Sequence, residues 1–416
     1  MPVDGPRPWR LATLFAAPHR LSFFVAACVM AAAAAWWWVE MLSRSGIWPS
    51  LATAVPATFV HASVMSLGFM PLFFSGFLFT AGPKWLQMGE VQARAIAPGV
   101  LTMGAGWLAL LCGSHVNHGL SSTGVLIAAI GWAMLTWRFV SLVRRSPARD
   151  RLHAKLIATA CSLGVLAMLG AAVGIGQGDY RIIRLAALLG LWWFIVPVYV
   201  TVAHRMIPFF TASALPVLDA WRPNWLLWTL LGLVGAQGCW LLIDELGWQG
   251  PVWMGLRAVV SSASGALVIA LAVRWGLVQS LRIRLLAMLH IGFVWLGLAF
   301  CLDAASVILG AVGQIQLSLL PLHALTMGFL GSILLAMVTR VSCGHSGRTL
   351  TADNLAWGLF WGLQVAVALR LLAVVWPSQS GWLLWGGATA WLLVMGGWAL
   401  RYGRWYGLPR VDGRPG

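Results

Sequence analysis

Long apolar runs follow one another along almost the whole chain and decide what it can fold into. About twelve runs of roughly 17 to 25 residues are separated by short polar or glycine- and proline-bearing breaks. With 60% hydrophobic and 9% charged residues, the chain cannot be a soluble globule, whose charged share is roughly 25%. The runs are continuous, without the alternation of membrane β-barrels, and this favours helices. The sequence therefore predicts an all-α polytopic membrane protein with about twelve transmembrane helices.

The placement of the basic residues predicts the orientation of these helices. A formal net charge of +16 could suggest a nucleic-acid partner, but the Lys and Arg residues gather at alternate ends of the runs. If the N-terminus is cytoplasmic, all but five of the 27 Lys and Arg residues lie on the cytoplasmic side. The positive-inside rule therefore predicts that both termini are cytoplasmic, with the lipid bilayer and no nucleic acid as partner. The five exceptions are Arg44, Arg181, Arg184, Arg257 and Arg370.

No linker divides the chain into soluble domains. We expect a basic cytoplasmic tail over residues 1–20, a twelve-helix membrane domain over 21–400 and a second basic tail over 401–416. The six cysteines show no CxxC or zinc-like spacing, so neither a disulfide framework nor a zinc site is predicted. Predicted helices 2, 6 and 10 end in polar segments that start at Thr80, His204 and Thr339. This spacing suggests three repeats of four helices, although coincidence in an apolar alphabet explains it equally well.

Two histidines within apolar helices are the first candidate functional residues. His61, in predicted helix 2 (55–80), opens the segment HASVM, and His323, in predicted helix 10 (319–341), opens the segment HALTM. Both lie a few residues below the predicted outer face, and two neutral imidazoles at equal depth can ligate a haem iron from both sides. We therefore predict both as metal-ligating, cofactor-binding residues. The alternative is that each histidine hydrogen-bonds a neighbouring helix.

Histidines in other predicted helices are weaker candidates for a second metal site. His290 and His204 lie toward the cytoplasmic side and could form a second metal position, for which copper is a candidate because imidazole binds it well. The sequence gives His19 and His153 as ordinary juxtamembrane residues. We expect His115 and His118 to be polar residues of an outer loop. The alternative is a pair of metal ligands, because their spacing suits one helical turn, but the sequence offers no third ligand.

Two arginines stand near the outer ends of predicted helices, where the positive-inside rule disfavours them. Arg257 and Arg370 could bind haem propionates through charge-assisted hydrogen bonds. They could instead pair with Asp303 and Glu40, or extend to the lipid headgroups. On the inner side, the glycine-bearing turn 344–348 is rich in donors and could hold an anion.

Four segments resemble the NnrS family of bacterial inner-membrane proteins. They are GFLFTAGPKW (76–85), RMIPFFT (205–211), LHIGFVW (289–295) and the long segment from His323 to Arg348. The resemblance implies twelve transmembrane helices, an association with haem and copper, and a role in the response to nitric oxide and nitrosative stress, often near denitrification functions. It leaves open whether the chain is an enzyme, because the biochemical activity of the family is not settled.

One departure from the family pattern affects the metal prediction. Many members carry His-x-His-Glu-Met in helix 2, whereas here Ser63 and Val64 follow His61 and Ala62. Metal chemistry that depends on the second histidine and the glutamate is therefore in doubt, and this affects the prediction of copper binding more than that of haem binding. Histidines on helices 2 and 10 are also similar to haem-copper oxidase catalytic subunits, but predicted helix 6 has no mid-membrane histidine, so a binuclear site is poorly supported.

These observations lead to one main hypothesis and two alternatives. The main hypothesis is a haem-binding inner-membrane protein that acts in nitric oxide tolerance, by ligand or electron handling at a bis-histidine haem with an unknown redox partner. The first alternative is a permease without a redox cofactor, whose glycine and proline interruptions form a midplane substrate site. The second is an enzyme similar to nitric oxide reductases.

Overall fold

The computed structural model describes residues 8–248, 250–313, 317 and 319–414. Over these residues the chain is helical without strands, and twelve helices are long and apolar enough to cross a membrane. This confirms the predicted all-α fold. The helices, numbered in chain order, are α1 Pro18–Arg44, α2 Ala57–Trp85, α3 Ala93–Gly113, α4 His118–Arg145, α5 Leu152–Gln177, α6 Tyr180–Ala214, α7 Asn224–Glu245, α8 Pro251–Arg274, α9 Arg284–Ala311, α10 Leu319–His345, α11 Asn354–Val375 and α12 Pro377–Tyr406.

Several helices extend beyond the predicted apolar runs. The helix α2 continues to Trp85, α6 spans Tyr180–Ala214, and α12 ends at Tyr406. Pro83 and Pro208 lie inside α2 and α6. Neighbouring helices can satisfy the backbone groups that a proline releases, so these polar segments are helical and are not breaks. The placement of residues 1–20 and 401–416 as cytoplasmic tails stays a prediction.

Three of the twelve helices contain a π-helical segment within the described residues. These segments are Val64–Gly68 in α2, Leu191–Ile195 in α6 and Ala324–Gly331 in α10. A π-helical turn accommodates an extra residue and is uncommon, and it often occurs at functional sites. Its recurrence in every fourth helix agrees with three repeats of four helices, which stay a prediction.

The three π-bearing helices meet at the centre of the bundle. Together with α1 they surround an apolar cavity of about 50 Å³, to which α2 contributes Phe73, α6 contributes Tyr199 and α10 contributes Ile333. The helix α1 packs against both α2 and α12, so the first and last helices are neighbours. This arrangement brings residues of α2 and α10 together although more than 250 residues separate them in sequence.

Candidate functional site

The structure brings the two predicted axial histidines to the same end of the bundle. His61 lies in the second turn of α2, and His323 lies in the second turn of α10. The π-helical segment of each helix begins one to three residues after the histidine. His323 and Arg370 are both electrostatic neighbours of His61, and Arg370 is also a neighbour of His323. The two histidines therefore lie at matching positions in their helices and at the same end of the bundle, while their joint binding of a metal stays a prediction.

The hydrogen bonding of His323 leaves one ring nitrogen available. Its Nδ1 lies 2.9 Å from the carbonyl oxygen of Leu319. A carbonyl oxygen only accepts, so Nδ1 carries the hydrogen and Nε2 keeps a free lone pair. Metal-ligating histidines commonly have this arrangement, in which the second nitrogen donates to a carbonyl and fixes the ring. His323 is therefore oriented as a ligand would be.

His61 is held by an aromatic contact instead of a hydrogen bond. Its ring stacks on Trp37 of α1, with 3.8 Å between the ring centroids and 28° between the planes. Its Nδ1 is buried and has no hydrogen-bond partner in the described part of the chain. A buried polar nitrogen without a partner is uncommon and calls for an explanation. Sequence reasoning assigned no chemical role to Trp37, although Trp37 and His61 lie at equivalent depths on consecutive helices that cross in opposite directions.

Arg370 is a cation at the same end of the bundle as the two histidines, and no carboxylate of the described residues pairs with it. It lies half-buried in α11, and within the described residues it forms no ion pair. Its predicted partner Glu40 instead accepts a hydrogen bond of 2.8 Å from Nε of Arg44. A free guanidinium at this position suits a carboxylate or another oxyanion on a ligand.

Arg257 has the protein partner that the sequence offered as an alternative. Its Nε and NH2 donate to Asp303 at 3.1 and 2.6 Å, and its NH1 donates to Asp244. Ser261 adds a hydrogen bond of 2.8 Å to the same Asp303 carboxylate. All three nitrogens of the guanidinium are thus bonded between α7, α8 and α9. The cofactor-binding role of Arg257 stays a prediction, and these contacts do not support it.

The two histidines predicted for a second metal position bind different partners. His290 is fully buried and its Nε2 lies 3.0 Å from the hydroxyl of Thr211. The Nδ1 of His204 lies 3.1 Å from Nε2 of His153, and the Nε2 of His204 lies 3.2 Å from the carbonyl oxygen of Pro223. Among the residues that the structure describes, no group of three His, Cys, Asp or Glu side chains is placed to hold a metal. A metal at His290 stays a prediction.

The remaining histidines have structural partners that the sequence did not show. His19 and His153, expected to be juxtamembrane residues, are only 3% and 6% exposed. His19 packs against His345, with 4.4 Å between the ring centroids. The His19–His345 pair joins α1 to α10, which are distant in sequence, whereas His153 pairs with His204 on the next helix. Only the shared inner depth of the partners could have indicated these pairs.

The outer-loop histidines stabilise the loop. Trp36 donates a hydrogen bond of 2.8 Å to Nε2 of His115, whose Nδ1 then donates to the carbonyl of Ala52 at 3.0 Å. The Nδ1 of His118 donates to the carbonyl of Ile175 at 2.9 Å. Both nitrogens of His115 are engaged, so the contacts agree with the expectation of polar residues and not with a metal pair.

Comparison with known families accounts for nearly the entire chain. A family model described as NnrS protein matches residues 13–410, which include all twelve helices. The chain belongs to the NnrS family. This confirms the resemblance seen in the four sequence segments. No curated protein matches this NnrS chain.

Proposed function

We propose that this NnrS-family protein binds haem between His61 and His323, and that it acts at that haem in nitric oxide tolerance, by binding nitric oxide or passing electrons. The proposal places it in a bacterial inner membrane, as the family resemblance implies. The observation that carries it is the pair of histidines on α2 and α10, brought together with a nitrogen lone pair free on His323 and an unpartnered buried nitrogen on His61.

The residues present fit a haem in three respects. Two histidines whose side chains lack hydrogen bonds to other side chains in the described residues would supply nitrogen ligands. Trp37 stacks on His61 and restricts its ring, while the carbonyl of Leu319 restricts His323. Arg370 supplies a positive charge that no carboxylate of the described protein neutralises, and a haem propionate would do so. A bound haem would supply one-electron chemistry and an iron to which small ligands coordinate.

The two histidines are not equivalent as ligands. The Nδ1–H bond of His323 to the Leu319 carbonyl fixes its ring and makes Nε2 more basic. His61 has no such bond to its Nδ1. We therefore assign His323 as the stronger ligand and His61 as the weaker one.

Haem content of single variants tests the ligand assignment. Protein purified in detergent should show the absorption spectrum of a histidine-ligated haem. His323→Ala and His61→Ala should each reduce the ratio of haem to protein, and His323→Ala should reduce it more. His115→Ala is the matched control, because His115 lies at the same end of the bundle and both of its ring nitrogens are already hydrogen-bonded. Full haem content in both site variants would contradict the assignment.

Arg370 offers a second measurement of the same site. Charge-assisted hydrogen bonds contribute about 1.5–3 kcal/mol, so Arg370→Ala should weaken haem binding roughly ten- to hundred-fold. Arg181→Ala, an exposed outer arginine, should leave haem binding unchanged. The readout is haem transfer from the protein to an apo-haem acceptor.

The function itself needs a separate experiment. Addition of nitric oxide to the reduced protein should change its haem spectrum, and cells that carry His323→Ala should lose nitric oxide tolerance while making normal amounts of protein. A colourless preparation whose variants keep tolerance would instead favour the permease hypothesis. Nitric oxide consumption with an artificial electron donor would favour the reductase hypothesis.

A further inference from the structure

A group of cations gathers at the opposite end of the bundle from His61. Arg20 lies in the first turn of α1 and is only 2% exposed. Its NH1 donates to the carbonyls of Tyr406 and Leu408, at 3.0 and 2.7 Å, where α12 ends. Its Nε is buried and has no partner among the described residues. Arg20 is thus an almost fully buried cation with one donor left over.

Two further arginines meet Arg20 from other segments. Arg348, after the end of α10, stacks on Trp405, with 4.0 Å from its Cζ to the ring centroid. Its NH1 is buried and also lacks a partner in the described structure. Arg410, beyond α12, donates to the carbonyl of His345 at 3.3 Å. Arg348 and Arg410 are both electrostatic neighbours of Arg20.

Histidines and a lysine extend this group. His19 precedes Arg20, packs against His345 of α10, and is 3% exposed with a buried Nδ1 that has no partner in the described residues. Lys84 near the end of α2 is an electrostatic neighbour of His345. The inner cluster therefore consists of Arg20, Lys84, Arg348, Arg410, His19 and His345.

The carboxylates near the inner cluster are already bonded. Asp412 accepts from Nε and NH2 of Arg410 at 2.9 and 2.6 Å and lies against Gly347, where a Cβ would overlap its carboxylate. Asp353, the next carboxylate, is bonded to Arg401 of α12. The neighbouring guanidiniums of Arg20 and Arg348 have no carboxylate partner in the described residues. Arg20 is buried and Arg348 is half-buried, and like charges away from water repel, so their packing without an anion is costly.

We propose that the inner cluster binds a phosphate group between Arg20 and Arg348, with His19 as a further donor. The planar guanidinium matches phosphate oxygens with two parallel N–H bonds. Two buried guanidinium donors and one buried imidazole nitrogen lack partners in the described residues, and they point to a ligand that accepts several hydrogen bonds. Arg348 and His345 are half-buried, so the site reaches the surface between them. The positive φ of +74° at Gly347 turns the chain so that Arg348 folds back over the cluster. The phosphate belongs either to an anionic lipid headgroup or to a soluble phosphate, and this site is separate from the haem site.

The experiment compares phosphate with lipid on one delipidated, detergent-purified protein. Thermal midpoints are measured against inorganic phosphate and against short-chain phosphatidylglycerol, with chloride at equal ionic strength as the baseline. Phosphate-bearing ligands should raise the midpoint above the chloride baseline. Arg348→Gln should weaken this response at least about tenfold because it removes the accessible guanidinium. Arg404→Gln, which changes an exposed arginine in the last turn of α12, should respond as the wild type does.

The outcomes distinguish the sources and can overturn the proposal. A response to phosphatidylglycerol alone assigns the site to a headgroup, and a response to inorganic phosphate assigns it to a soluble anion. Native mass spectrometry should then show one bound lipid or phosphate that Arg348→Gln loses. An equal response in wild type and Arg348→Gln, or none above chloride in the wild type, overturns the proposal. Because haem content is measured separately, failure here is distinct from failure of the haem assignment.

Discussion

At the scale of single residues, the partners of polar side chains separate candidate ligands from structural groups. Histidines such as His115, with both nitrogens hydrogen-bonded, have no lone pair for a metal. His323 keeps one nitrogen free, and Arg370 keeps its charge unpaired within the described residues. The same test removes Arg257 from the group with free donors, because Asp244 and Asp303 occupy its guanidinium.

The ion triad around Arg257 should matter for stability. The side chains of Arg257 and Asp303 are only 11% and 3% exposed. The Asp303 carboxylate accepts from two nitrogens of Arg257 and from Ser261, so Asp303→Asn should weaken these buried charge-assisted hydrogen bonds and destabilise the protein by about 3 kcal/mol, although Asp244 still balances the charge of Arg257. Asp219→Asn is the control, since its ion pair with Arg274 is 3.7 Å long and both side chains are more than half exposed. That change should cost at most about 1 kcal/mol in thermal unfolding in detergent. Equal effects of the two substitutions would contradict the prediction.

At the scale of elements, small residues set the distance between α3 and α4. A Cβ on Gly131 of α4 would overlap the backbone nitrogen of Met103, and one on Gly106 of α3 would overlap that of Ala128. Close approach of two backbones through glycine is typical of membrane helix pairs. The main contact between these helices is therefore backbone against backbone, where a neighbour cannot move aside.

This packing predicts opposite effects for two glycines. Gly131→Ala should destabilise the protein by about 1–3 kcal/mol, because the added methyl group forces the two helices apart. Gly232→Ala in α7 is the matched control, since no atom lies within 4 Å of its added Cβ. It should be neutral or stabilising, because alanine favours helix over glycine by up to about 1 kcal/mol. Thermal midpoints in detergent provide the measurement. An unchanged midpoint for Gly131→Ala would show that α3 and α4 pack less closely than described.

The segment after α12 contains an ion pair beside the exit of α10, where Arg410 also donates to the carbonyl of His345. Arg410 hydrogen-bonds Asp412 and holds the pKa of that carboxyl at about 2. This pKa is lower in the folded than in the unfolded chain. The contribution of Asp412 to the free energy of unfolding is therefore complete above about pH 4 and is lost as pH falls toward 2. The difference in thermal midpoint between wild type and Asp412→Asn should therefore be constant from pH 7 to about 4.5 and shrink below it. The pair is accessible to solvent, so 1 M NaCl should reduce the difference at every pH. A difference that changes between pH 7 and 5 would refute the assignment.

At the scale of the whole molecule, the sequence predicts how deep a residue lies in the membrane better than it predicts which helices are neighbours. Helix number and the equal depth of His61 and His323 follow from apolar length, because each helix must cross the same bilayer thickness. Lateral neighbours depend on how twelve helices pack, which the order of apolar runs does not determine. The π-helical segments, the stacking of Trp37 on His61 and the pairing of His153 with His204 therefore could not be predicted.

The arrangement of the chain ends makes a prediction for the entire protein. The backbone nitrogen of Arg10 donates to the carbonyl of Gly407 at 2.9 Å, so both ends of the membrane domain lie on one side, as twelve crossings require. The basic residues concentrate on that side, and the positive-inside rule assigns it to the cytoplasm. A fluorescent protein fused after residue 414 should fluoresce and alkaline phosphatase fused there should be inactive. Phosphatase fused after Trp376, between α11 and α12, should be active. The reverse pattern would place the inner cluster outside and His61 and His323 at the cytoplasmic face, where the electron donor and the source of phosphate would both differ.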